Sequence, residues 1–234
     1  MTGHVGERRR ARVYPLRTVT YLAAGLLGAG IHAAWSASDP RPSTPTIVRE
    51  AQAPQQFPGP TRVKAGMPAG FAHTPEGAVS AAASFVTTGQ ALLDMDPAAA
   101  ERAVRQMAAT TTADAQAQAA MERLAAVRSA LASGSGSIVF RQASVAARIL
   151  AWSPERAQVA IWNVGVLSRA GVAPPQAGWA VSTFDLVWER DDWRIWSETI
   201  APGPAPIPDA SVAPTDAHTF VTALDGFVDL GSGR

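Results

Sequence analysis

No cysteine occurs in the 234 residues. Disulfides, thiolate metal sites and cysteine nucleophiles are therefore excluded, as is the acylated cysteine of a bacterial lipoprotein. Charge is scarce as well: Asp, Glu, Lys and Arg make up 17% of the chain, against 47% hydrophobic residues. That balance supports a real core with apolar or linker segments outside it. The histidines His4, His32, His73 and His218 are scattered and form no i, i+4 pair, so no histidine-based metal site is expected. There is no glycine-rich phosphate loop, because Ser133-Gly134-Ser135-Gly136 follows a helical stretch instead of opening one. No repeat is visible, no cofactor is expected, and no catalytic constellation stands out.

The net charge of +1 conceals an asymmetry. Residues 1–66 hold nine Lys/Arg against three acids, a net of +6, whereas 67–200 hold ten arginines against twelve acids, a net of −2. A nucleic-acid-binding domain would carry a basic face, so direct nucleic-acid binding by 67–200 is not expected. The N-terminal arginines cluster at Arg8, Arg9, Arg10 and Arg12, ahead of an uncharged stretch at 18–35. That stretch is near the lower limit for crossing a ~30 Å hydrocarbon layer. Basic residues before it, and none just after, predict a cytoplasmic tail (1–17), a single transmembrane helix (18–35) and an extracytoplasmic remainder. A cleaved signal peptide is the rival. The apolar run exceeds the usual h-region of about 7–15 residues, and Trp35 suits cleavage after Ala37 poorly. Residues 36–66, with Pro40, Pro42, Pro45, Pro54, Pro58 and Pro60, read as a semi-extended stalk.

The folded domain is expected over 67–200, and 179–200 organises it. Four of the seven tryptophans lie there, in two apolar runs split by Glu189-Arg190-Asp191-Asp192. Aromatic and β-branched density around a short polar break predicts a β-hairpin. Upstream, Thr74-Pro75-Glu76 gives an N-cap, a proline at the first helical position and a favourable acid, opening a helix to about residue 93. Asp96-Pro97 repeats the signal for a short helix ending near Met107, and Thr112 with Asp114 opens a third to about residue 132. Strands are predicted over 138–152 and 159–167, with a looser connection at 169–178. The expected architecture is α+β: three helices packed on a curved four-stranded antiparallel sheet, behind one transmembrane helix. Residues 201–234 read as a proline-rich exit and tail, with one apolar motif at 218–230.

Helices followed by an antiparallel sheet ending in this Trp-rich hairpin resemble the nuclear-transport-factor-2-like (cystatin-like cone) superfamily. The segment Gly70-Phe71-Ala72-His73-Thr74-Pro75-Glu76-Gly77-Ala78, with the expected anchor, resembles actinobacterial single-pass proteins of conjugative elements. These are similar to TcpC-type and VirB-type scaffold subunits of DNA-transfer machines. The resemblance implies an extracytoplasmic domain that self-associates and contacts other transfer proteins, hence a non-enzymatic assembly role.

The alternative is a small-molecule binder or isomerase-like enzyme. Its candidate is Asp185, mid-strand in apolar company; the resemblance implies this role, because cone-fold isomerases use strand-borne carboxylates in an apolar pocket. Against it stands an outward-facing Asp that limits aggregation. His73 is expected to pack at the helix start. Trp162, Trp179, Trp188, Trp193 and Trp196, with Phe220 and Phe227 of the tail, are the structural or interface candidates. Both faces of the third strand carry large apolar groups, so one face needs a cover besides the helices. A second copy and the segment 220–230 are the available covers.

Overall fold

The computed structural model describes residues 57–206 and 217–230. The first strand comes earlier than expected, within 36–66. β1 (Arg62–Lys64) pairs antiparallel with β2 (Met67–Ala69). Ala65 and Gly66 between them have φ of 49° and 77°. Two consecutive left-handed residues are the type I′ geometry that matches strand twist in a hairpin.

Four helices follow. In α1 (Pro75–Val86) the Thr74 hydroxyl accepts from Gly77 N at 3.0 Å. In α3 (Pro97–Met107) the Asp96 carboxylate accepts from Ala99 N at 3.0 Å. Both caps are as the sequence predicts. The first expected helix breaks, however, and α2 (Gly89–Asp94) is separate. Gly89 is pressed against the sheet: a Cβ there would lie 2.5 Å from the Phe140 ring and from the Gln142 amide oxygen. α4 (Ala113–Ala130) is the longest helix.

α2, α3 and α4 end without glycine caps, and arginines from elsewhere take up their free carbonyls. Arg128 donates to Leu92, Leu93 and Met95 O at 3.3, 3.0 and 2.8 Å, closing α2. Arg194 donates to Gln106 O at the end of α3. Arg169 donates to Leu131 O at 2.5 Å beyond α4. Cations also suit the negative end of the helix dipole.

β3 (Ser135–Trp152), β4 (Arg156–Ala170), β5 (Ala173–Trp188) and β6 (Trp193–Pro202) form an antiparallel meander. The connection expected at 169–178 is mostly strand, reversed at Gly171 with φ 79°. Beyond residues 207–216 come α5 (Ala217–Ala223) and β7 (Val228–Asp229), which joins the free side of β3. The sheet order is β6-β5-β4-β3-β7. Three helices on four strands is thus corrected, among the described residues, to five helices, a five-stranded sheet and a separate two-stranded one. The transmembrane part of that architecture, and the single-pass cell-membrane placement, are corrected too. Among the described residues no helix is long and apolar enough to cross a membrane. The segments expected as span and cytoplasmic tail, 18–35 and 1–17, lie outside the described residues.

Strand parity is as the sequence predicts. Ser182 pairs with Ile161, Phe184 with Val159 and Leu186 with Ala157, so these share one face. That face meets the helices, where Phe140, Ile161, Phe184, Leu186 and Ile195 pack against Val79, Phe85, Leu92, Met107 and Leu124, all buried. Trp179, Val181, Thr183, Asp185 and Val187 point outward.

Candidate interaction surface

The β5–β6 hairpin closes on Arg190 and Asp191, with φ of 54° and 55°. Glu189 and Asp192 exchange backbone hydrogen bonds of 3.0 and 3.2 Å across it. This is a two-residue type I′ turn built without glycine, and its flanking side chains tie it to the rest of the fold. Asp192 is 1% exposed. Its carboxylate accepts from Gly70 N (2.8 Å), Phe71 N (3.0 Å) and Trp193 N (3.1 Å). Arg194 lies 3.7 Å away. Gly70, at φ 78°, turns its N–H toward that carboxylate. Glu189 accepts from Thr110 N and Oγ1 at 2.9 and 2.7 Å, and Arg190 donates to the same hydroxyl at 2.6 Å. Glu189 and Arg190 thus meet through Thr110. Burial works to raise the Glu189 pKa, but the two Thr110 bonds and the charges of Arg190 and Arg194 outweigh it, leaving the carboxyl below its ordinary range.

The aromatic candidates divide among four places. Trp193 is fully buried and donates to Ala72 O at 3.0 Å. Trp188, half-buried, stacks on the His73 ring at 3.9 Å. His73 also bonds Pro154 O, so it packs at the start of α1, as expected. On the outward face Trp162 stacks on Trp179 at 4.8 Å, and Phe220 meets Trp162 edge-on at 5.5 Å. Trp162 also donates to Pro204 O at 3.1 Å. Trp196 sits under Arg156, and Phe227 under Arg148, each 4.9 Å from guanidinium carbon to ring centroid. The tail does lie on the second face, at Trp162.

Asp185 is not within the helix–sheet interior. It is half-buried on the outward face, where Oδ1 accepts from Gln158 at 2.8 Å and Oδ2 from Ser197 at 2.6 Å. Both donors are its cross-strand neighbours. It borders a cavity of ≈ 90 Å³ shared with Ala151, Trp152, Arg156, Ala157 and Leu186. Small-molecule sites run to roughly 300–1,000 Å³, so this one has room for a single side chain.

Two glutamines that the sequence did not mark cap the outer strands of the meander. Gln90 accepts from Phe140 N at 2.6 Å and donates to Ile138 O at 3.3 Å, acting as a short pseudo-strand on β3. Gln116 donates to Ile195 and Trp196 O at 2.8 and 2.9 Å, where the β5–β6 register shifts between Asp185 and Leu186. β6 is thereby sealed at its bulge. β3 is sealed less completely. Its strand partners on the β7 side are Asp229 for Ala146 and Val228 for Ala147. Past them, Ile149, Leu150 and Trp152 are 40–42% exposed.

A family model described as a domain of unknown function, DUF8175, matches residues 29–227. The chain belongs to that family. No curated protein sequence matches it. Among solved structures it is similar to the intermembrane space region of the chloroplast protein ARC6. That likeness has a TM-score of 0.28 and 11% identity over 38% of this chain and 71% of that one. A likeness of that size carries no statement about fold or function. The DUF8175 match runs from ahead of β1 through α5 and stops one residue short of β7.

Proposed function

We propose that this DUF8175 protein is a non-enzymatic assembly protein that works by protein–protein contact, docking partners at the β3–β4 end of its sheet. One observation carries it. Of the six large apolar side chains exposed among the described residues, Val139, Ile149, Leu150 and Trp152 lie on β3, and three of them fall within 149–152. An incompletely paired outer strand offers main-chain hydrogen bonds to an extended segment, and its alternating side chains supply specificity. Beside that strip, the cavity bordered by Ala151 and Trp152 has the size for one anchoring side chain, the kind of contact that dominates interface energetics. The resemblance to conjugative scaffold subunits makes DNA-transfer proteins, and other copies of the chain, the first partners to try.

The test is site-specific photo-cross-linking with the full chain in cells that make it. A photoreactive residue at Leu150 should give a discrete protein adduct, and one at exposed Glu122 on α4 should give none. Equal adducts at both positions, or none at Leu150, refute the docking site.

A further inference from the structure

β3 already carries one added strand, and it comes from the chain's own C-terminal region. β7 makes two strand pairs with β3, and Leu230 N donates to Val145 O at 3.1 Å. Arg148 holds the approach: it donates to Asp225 O at 2.9 Å and lies over the Phe227 ring. Phe220 rests on Trp162 of the outward face. Strand edge and sheet face together make a seat for the alternating acidic and apolar sequence Leu224-Asp225-Gly226-Phe227-Val228-Asp229-Leu230. The sheet side supplies one cation at this seat, Arg148, two residues along β3 from the partner of Asp229.

The segment is held lightly. None of residues 218–230 is buried. Ten residues, 207–216, join it to the sheet, a length of chain that reaches at most ~36 Å.

We propose that this segment is exchanged between copies, residues 217–230 of one chain occupying the β3 seat of another. Exchange reproduces every contact of the closed arrangement, so no contact is lost in making it. A second copy is the fitting partner because its tail carries the charge and apolar pattern that this seat binds. The inference rests on the assembly reading and adds a second contact, at Val145–Ala147, beside the open strip at 149–152.

The cysteine-free chain allows a clean test. Ala146 and Asp229 are register partners, and residues directly opposite on neighbouring strands lie within disulfide reach. Full-length Ala146→Cys and isotopically heavy full-length Asp229→Cys are mixed at about 1 mM, the range in which a second copy competes with a short intramolecular tether. They are then oxidised and weighed by mass spectrometry. The expected result is a 146–229 heterodimer several-fold in excess of the 146–146 and 229–229 homodimers, rising with concentration. If the doubly substituted chain closes on itself while the mixture yields no excess of heterodimer, exchange is refuted. If even the double variant fails to close, the seat itself is refuted. Should either variant fold poorly by circular dichroism, a photoreactive residue at Phe220 in a heavy–light mixture replaces it. Cross-links between heavy and light chains support exchange, and cross-links within one chain alone refute it. The docking test at Leu150 stands apart from both.

Discussion

Replacing Asp192 with alanine should cost more than any other single change at the surface-facing turns. Three backbone N–H groups converge on this carboxylate at 2.8, 3.0 and 3.1 Å, all in buried hydrogen bonds. Each donor left without a partner costs ~1–3 kcal/mol. Arg194, 4% exposed, also loses its nearest acid, and removing one member of a buried charge pair costs ~3–5 kcal/mol. The two estimates overlap, so the loss should be about 4–6 kcal/mol, a large share of the ~5–15 kcal/mol that holds a domain together. Asp192→Asn should fall between wild type and alanine. One carbonyl oxygen can serve Phe71 and Trp193, while its amide N–H₂ then faces the Gly70 N–H. Asp191→Ala, next door and exposed, should cost only about 1 kcal/mol, the penalty of placing alanine at a φ of 55°. Urea unfolding followed by tryptophan fluorescence reads all three, and amide exchange at Gly70 and Phe71 reports the clamp itself. An Asp192→Ala midpoint equal to that of Asp191→Ala would refute the clamp.

Trp193→Ala should cost ~3–5 kcal/mol as a buried large-to-small change; Trp188→Ala, half-exposed and stacked on His73, should cost clearly less by the same urea assay. Glu189, with its pKa lowered, should contribute stability that is fully present above the unfolded glutamate value of about 4.3 and is lost as pH falls through the lower folded value. Unfolding midpoints from pH 6 to 3 should show that loss in wild type and not in Glu189→Gln. A chain ending at residue 206 lacks Phe220 over Trp162 and should self-associate where the full chain does not at the same dilution; a light-scattering mass equal to one chain contradicts this.

Legibility differed by element, for physical reasons. The hairpin at 179–200 was readable because its polar break and aromatic flanks act locally, and strand parity followed from the same residues. Thr74 and Asp96 announced their helices because a cap bonds three residues along the chain. The need for glycine at 89, just past the break, was not readable, since the Phe140 ring that leaves no room for a Cβ is about fifty residues away. The arginine caps were hidden for the same reason: Arg128, Arg169 and Arg194 look like surface charge until the fold brings helix ends to them. Gln90 and Gln116 carry no local signal at all. β1 had a signal in Ala65-Gly66, outweighed by the prolines around it. Asp185 sat in an apolar sequence context, but period-2 alternation put it on the outward face, with Gln158 and Ser197 beside it. The exposed strip at 149–152 read as ordinary strand, because only the shortness of β7 leaves it open.

The most direct measurement of the docking claim is the size of the native particle that contains the protein. Full-length wild type and Leu150→Asp are compared by sedimentation of gently lysed cells, alongside unfolding of the purified chains. The account predicts that Leu150→Asp, half-exposed and thus tolerant of the change, unfolds at the wild-type midpoint yet sediments as a smaller species. A mutant that stays in the same large particle as wild type contradicts docking at the β3–β4 end.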